Sequence, residues 1–212
     1  MYIPKNFQTT DQNEIVAFMK AYSFATIITA KENLPTATHL PFIISTREDK
    51  VILTSHFAKA NSQWEDVEGH KCLVIFNQPH AYISPGHYEK ELNVPTWNYF
   101  SVHAYGDAKL ITDEKSTIEV LEATIKNYEA GYQDQWDKLP LGYKTKLVKG
   151  IVAFEVTVAD LEAKKKLSQN KTEKEQKNII DSLSVSQDKN ERDLAGYMSQ
   201  QLSKNTNPDK TT

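Results

Sequence analysis

The chain has 212 residues, 39% hydrophobic and 25% charged, with 25 Lys and Arg against 28 Asp and Glu and a net charge of -3. That length and balance enclose a core of ordinary size and exclude a fibre or a wholly disordered chain, while the slight acidity removes any whole-molecule attraction to nucleic acid, so DNA binding would need a local basic patch. No apolar run reaches bilayer length, the start Met1-Tyr2-Ile3-Pro4-Lys5 lacks a leader pattern, and Cys72 stands alone, so a cytoplasmic protein with no membrane partner is expected.

Asp11 and Glu14 form a capping pair for a first helix, on which Ile15, Phe18, Met19 and Tyr22 recur at helical spacing. Phe24 to Thr29 is a β-branched strand and Lys31-Glu32-Asn33 a turn. Leu34 to Ile44 reads as a second strand, with Pro35 and Pro41 marking an edge, a bulge or a strand start, since proline cannot donate to a ladder. Val51 to His56 is a third strand, followed by a short helix capped by Asn61 or Ser62. Lys71 to Phe76, holding Cys72 as a small core residue, and Ala81 to Ser84 make two strands around Pro79, and Val94 to Ile111 one long strand or two. A helix over Asp113 to Tyr128 has Ile118, Leu121, Ile125 and Tyr128 in register, a further helix lies near Leu141 to Lys149, and Gly150 to Val158 is the last strand.

Beyond Asn170 the composition turns to Lys, Glu, Gln, Asn and Ser. Thr172 and Glu175 form a capping box, Ile179, Ile180 and Leu183 one apolar stripe, and Leu194, Tyr197, Met198 and Leu202 another. Two small, loosely attached helices are expected there, with a disordered end. The organisation is thus a domain over residues 1–170 and a helical extension over 171–212. Many closely spaced strands with few helices inserted predict a mainly β fold with peripheral helices, an α+β arrangement built on a closed barrel. The strand–helix alternation and glycine-rich turn of a Rossmann sheet are missing from the sequence.

Chemistry concentrates in Ala37 to Phe42, Ser55 to Trp64, Val94 to Tyr99 and Lys164 to Asn170. Singly, each has a plain explanation: His39 as a half-buried histidine, Trp97 and Tyr99 as packing, Lys164 to Lys166 as a solvated face, Lys59-Ala60-Asn61 as a capped loop. Together they suit a flavin, which carries a phosphate dianion, a polyhydroxyl chain and a flat ring with polar edges. Lys59 and the amides near Asn61 offer a charge and donors for phosphate. Thr38, His39 and Thr96 offer partners for hydroxyls or the ring edge, and Trp97 offers a face for the ring. No Cys/His spacing resembles a metal site, and no acid–base pair specifies a substrate.

Tyr2-Ile3-Pro4, Ala37-Thr38-His39-Leu40-Pro41, Pro79-His80-Ala81-Tyr82-Ile83-Ser84-Pro85, Val94-Pro95-Thr96-Trp97-Asn98-Tyr99 and Leu167-Ser168-Gln169-Asn170 occur in the order and spacing of the PaiB family, described as FMN-binding negative transcriptional regulators, and the chain resembles that family over nearly its whole length. The resemblance implies an FMN-binding split barrel, dimeric, with the flavin at the subunit interface. It implies cofactor contacts from Thr38, His39, His56, Lys59, Asn61, Thr96, Trp97, Asn98, Lys166, Ser168 and Gln169. Two positions depart from the pattern. Lys59 stands where arginine is common, keeping the charge but losing the bidentate fork, and Lys165 stands where an aromatic residue is frequent. The implied function is flavin-linked transcriptional repression. Direct DNA readout is supported by neither charge nor motif, the nearest basic surface being Lys164 to Lys166 with Lys171 and Lys174. The alternatives are an FMN-dependent oxidoreductase fed by a nicotinamide donor, and a haem-binding split barrel using one of His39, His56, His80, His87 or His103.

Overall fold

The computed structural model describes residues 1–206; the expected disordered end beyond them lies outside the described residues. Near the N-terminus a short strand, β1 (Gln8–Thr9), precedes helix α1 (Gln12–Ala21), which buries Ile15, Phe18 and Met19, the apolar face read from their spacing. Strands β2 (Phe24–Lys31) and β3 (Leu34–Pro41) form a hairpin from Phe24↔Pro41 to Lys31↔Leu34, turned by Glu32 and Asn33 at φ 51° and 65°. Both turn residues adopt the left-handed conformation that a two-residue hairpin demands. The expected second strand breaks at Phe42, whose amide donates to the Ser23 carbonyl, and resumes as β4 (Ile43–Arg47) paired with β5 (Lys50–Ala58).

Three long strands follow: β6 (Lys71–Ile83), β7 (Thr96–Ile111) and β8 (Ile151–Lys166). They join the others in one antiparallel sheet of order β3-β2-β6-β7-β8-β5-β4, with β1 paired to β8. β3 and β4 are the terminal strands of this order, so Pro35 and Pro41 sit in a terminal strand, where a missing donor costs least. β6 is one strand where two were expected. It runs through Pro79, with a cis Gln78–Pro79 bond, and absorbs the interruption by a one-residue slip: Cys72, Val74 and Phe76 are buried, then Pro79, Ala81 and Ile83. β8 also runs eight residues past the expected end at Val158. Its Ala-Lys-rich second half lacks the β-branched texture by which strands are recognised.

The chain divides into two compact units, Met1–Asp11 with Asn77–Val102 and the chain from Glu162, and Gln12–Phe76 with His103–Leu161. The second unit is built around fully buried Phe42, Phe57, Phe76 and Phe154. Phe57 stacks on Phe154 at 4.8 Å, and Phe42 meets Phe154 edge-on at 6.2 Å. Here Gly106 is obligatory, because a Cβ would stand 2.3 Å from the Thr157 carbonyl oxygen and 2.7 Å from Val156 Cγ1. Helix α2 (Glu114–Tyr128) is capped by Asp113, which accepts from the Ser116 amide. Its buried row is Thr117 and Val120 rather than the expected stripe through Ile118 and Leu121, which are half-buried. Helices α3 (Gln133–Lys138), unforeseen in the sequence, and α4 (Leu141–Val148) complete this unit.

In the first unit, helices α5 (Glu173–Ser184) and α6 (Lys189–Thr206) are anchored rather than loose. Ile179, Leu183, Leu194, Ala195 and Met198 form a buried cluster with Ala81, Ile83 and Leu167 of the same unit. The Thr172–Glu175 capping box forms as expected, and Glu175 also accepts from the Glu89 amide, fastening the segment after β6 to the start of α5.

Candidate functional site

The expected site residues fall into two clusters, one in each unit. In the second unit, β5 ends at Ala58 and the chain turns through Lys59 and Ala60 into a short 3-10 turn, Ser62–Asp66. Asn61 caps it, its side chain accepting from the Gln63 amide at 3.1 Å. Asn61 Nδ2 donates to Thr38 Oγ1 at 2.9 Å, and Thr38 Oγ1 donates to Gln63 Oε1 at 2.6 Å, so two candidates are held together by one that was not. Gln63 is only 2% exposed. Its Nε2 hydrogens are shared among the Thr36 carbonyl at 3.1 Å, Thr29 Oγ1 at 3.2 Å and the Ile27 carbonyl at 3.4 Å, locking the corner to β2 and β3.

Several amides expected to offer a phosphate cradle are committed. Lys59 N–H donates to the Gly150 carbonyl, Asn61 N–H to Ala58, Gln63 N–H to Asn61 and Trp64 N–H weakly to the Asn61 carbonyl. The charge of the corner is the exposed Lys59 ammonium, poised 3.9 Å above the Trp64 ring. A cavity of about 370 Å³ opens beside them, lined also by Thr112, Glu114, Lys149 and Val152. His39, on β3, is exposed and stacks on Phe24 at 6.4 Å. His56, on β5, is half-buried, and its burial holds the imidazole pKa below the ordinary 6.5.

In the first unit, Trp97 is 52% exposed, its ring 5.6 Å from His80 and 6.1 Å from Tyr82. Thr96 Oγ1 receives the Lys166 ammonium, whose pKa is lowered by burial and then by neighbouring Lys164. Asn98 is fully buried. Its Nδ2 donates to Ser168 Oγ at 2.8 Å and contacts Met198 Sδ at 3.6 Å. Ser168, at φ 59°, turns the chain out of β8, and Gln169 closes the turn by accepting from the Leu167 amide at 2.7 Å and donating to the Lys165 carbonyl. Asn98, Ser168 and Gln169 therefore direct the polar groups named here inward. Lys165 is itself buried, its ammonium 6.0 Å from the Phe100 ring.

Gln63 and Trp64 lie in the chemically dense stretch Ser55 to Trp64, but nothing in local spacing distinguishes a buried glutamine from a solvated one. His80, weighed above only as a haem ligand, and Tyr82 are exposed partners of Trp97, a pairing that alternation along β6 hides because of its slip at Asn77 and Gln78.

The family model described as "Putative FMN-binding domain" matches residues 1–160. The protein is 40% identical over 207 residues to "Protease synthase and sporulation protein PAI 2" of Bacillus subtilis, covering 96% of this chain and 99% of that one. Among solved structures it is similar to the flavocytochrome Anf3 of Azotobacter vinelandii, at TM-score 0.61 and 18% identity over 77% of this chain and 72% of that one. It is also similar to an FAD and haem binding protein of Mycobacterium smegmatis, at TM-score 0.58 and 13% identity over 75% and 73%. At those identities the likeness speaks for the fold. Among the described residues, no helix is long and apolar enough to cross a membrane, and no group of His, Cys, Asp and Glu could hold a metal ion.

Proposed function

This chain belongs to the PaiB family and carries its FMN-binding domain fold, and from that premise we propose that it binds flavin mononucleotide, with the phosphate read by Lys59. The observation that carries the reading is the corner after β5, where exposed Lys59, its ammonium over the Trp64 ring, comes two residues before Asn61, and Asn61 and Thr38 are fixed to each other and to buried Gln63. The donor set fits: a cation and polar side chains suit a dianion, and a charge-assisted hydrogen bond contributes about 1.5–3 kcal/mol. Asn61 and Thr38 hold their geometry before any ligand arrives, which lowers the ordering cost of binding. His39 and His56 supply further polar groups in that unit. Thr96, Trp97 and Lys166 offer a hydroxyl, an indole face and an ammonium in the other, with Asn98, Ser168 and Gln169 as their structural support. When bound, the flavin would supply electron transfer, while these residues orient it and set its surroundings.

The proposed setting is a cytoplasmic homodimer with flavin at the subunit interface. The proposed biological output is regulatory, exerted through a partner rather than by direct DNA readout. The basic surface expected from Lys164 to Lys166 with Lys171 and Lys174 is not a free patch. Lys165 is buried, Lys174 is paired with Glu89 at 2.7 Å, and Lys171 lies 3.7 Å over the Tyr88 ring. A sequence-specific, salt-dependent gel shift by the pure protein would reverse that assignment.

The test of the flavin is a visible spectrum of the purified protein followed by titration with FMN. Flavin bands, or saturable quenching of FMN fluorescence at micromolar protein, are expected. A colourless protein that leaves FMN fluorescence unchanged defeats the reading, and a Soret shift on adding haem to such a protein would put haem in its place.

A further inference from the structure

Lys59 and Trp64 grip each other at two points. The Trp64 indole N–H donates to the Lys59 carbonyl at 3.1 Å, and the Lys59 ammonium returns over the Trp64 ring at 3.9 Å. The first contact fixes the indole against the backbone from which the lysine springs; the second fixes the far end of the lysine against the indole. A lysine side chain has four rotatable carbons and binds as a point charge only after its rotamers are ordered. Here a single aromatic ring restrains both ends, and Lys59 and Trp64 both line the cavity shared with Thr112, Glu114 and Lys149. Trp64 in turn is anchored, because the preceding residue is the buried Gln63 that ties the corner to β2 and β3.

We infer that Trp64 is the positioning residue that makes this corner selective for a phosphorylated flavin over its unphosphorylated parent. The inference rests on the flavin reading above and goes beyond it by assigning the discrimination between FMN and riboflavin to a ring that touches Lys59 and not the ligand's isoalloxazine. A pre-ordered ammonium is the device by which lysine, lacking the arginine fork, reaches phosphate with little further ordering. The contact is a cation–π pair, whose strength falls in the order Trp, Tyr, Phe and vanishes for an aliphatic side chain.

The experiment measures FMN and riboflavin affinities by fluorescence quenching for wild type, Trp64→Leu, Trp64→Phe, Lys59→Gln and the Lys59→Gln/Trp64→Leu double variant, with thermal midpoints recorded alongside. Wild type is expected to prefer FMN. Trp64→Leu should lower that preference by about threefold, Trp64→Phe should restore part of it, and Trp64→Leu should change the preference no further once Lys59 is gone. The last result is the signature of two residues acting as one unit. Equal loss of both flavins in Trp64→Leu, or the same fall in preference with and without Lys59, would make Trp64 a structural wall and overturn the inference. If Trp64→Leu does not fold, Trp64→Phe decides alone, since a preference there equal to that of the wild type overturns the inference equally. A wild type that binds both flavins without preference overturns the inference but leaves the flavin reading standing, whereas one that binds neither removes the flavin reading itself and the inference with it.

Discussion

At the scale of single residues, burial decides what each polar group is free to do. Gln63 satisfies its whole side chain within the fold, so replacing it leaves Thr38, Thr29 and the Thr36 carbonyl short of partners. Gln63→Ala should cost about 3 kcal/mol, read from the denaturant midpoint. Gln63→Glu, nearly the same shape, should also be destabilised, because an oxygen would then face the Ile27 and Thr36 carbonyls. Wild-type stability in Gln63→Glu would show that volume matters there and hydrogen bonding does not. His56 gives a pH signature. Its folded pKa lies below 6.5 because burial opposes the charged form, so the unfolded chain binds more protons just below neutrality and stability falls as pH drops through 6.5. Thermal midpoints from pH 7.5 to 5.5 should decline, and His56→Gln should flatten the slope; an unchanged slope would remove His56 as its source. Thr38 and Asn61, which a hydrogen bond joins, were legible in the sequence as a hydroxyl and an amide in chemically dense stretches. Gln63 was not, since its importance comes from carbonyls far away in the chain.

At the scale of elements, what was legible is what is local. The β2–β3 turn, the first helix, the helix that begins at Asp113 and the Thr172–Glu175 box are each written within a few neighbouring residues, and each forms. What escaped depends on distant partners. The second half of β8 carries Ala163 and Lys164 because β1 pairs with them, and α2 turns Thr117 and Val120 inward because of what lies beneath the helix, not because of its own stripe. Two substitutions separate these cases. Thr172→Ala removes a local cap and should lower stability by about 1 kcal/mol. Gly106→Ala forces a Cβ onto the Thr157 backbone of a neighbouring strand and should cost about 3 kcal/mol. Chemical denaturation of both variants checks the order, and a milder effect for Gly106→Ala would mean that β7 and β8 yield more easily than their spacing implies.

At the scale of the whole molecule, the exposed aromatic residues around Trp97 are the surface proposed to meet a partner. Trp97 and Tyr82 are 52% and 49% exposed and Tyr2 83%, while Lys164 lies over both Tyr2 and Tyr99. Large aromatic side chains gathered on one face cost hydration free energy when left in water and are the side chains on which association energy concentrates. The proposed occupant is a second copy of this chain. A net charge of only -3 imposes little like-charge repulsion between two copies. Trp97→Ala should then weaken self-association by about 2 kcal/mol, roughly thirtyfold in the dimer dissociation constant, and should reduce flavin retention with it. Sedimentation equilibrium over a range of concentrations reads the first effect, and flavin absorbance after desalting reads the second. Because the indole is half-exposed and its removal leaves no buried cavity, the thermal midpoint of the dissociated chain should stay near that of the wild-type monomer. Unchanged mass and flavin content would move the interface away from this face. Loss of flavin with the dimer intact would keep Trp97 as a flavin contact and remove it from the interface.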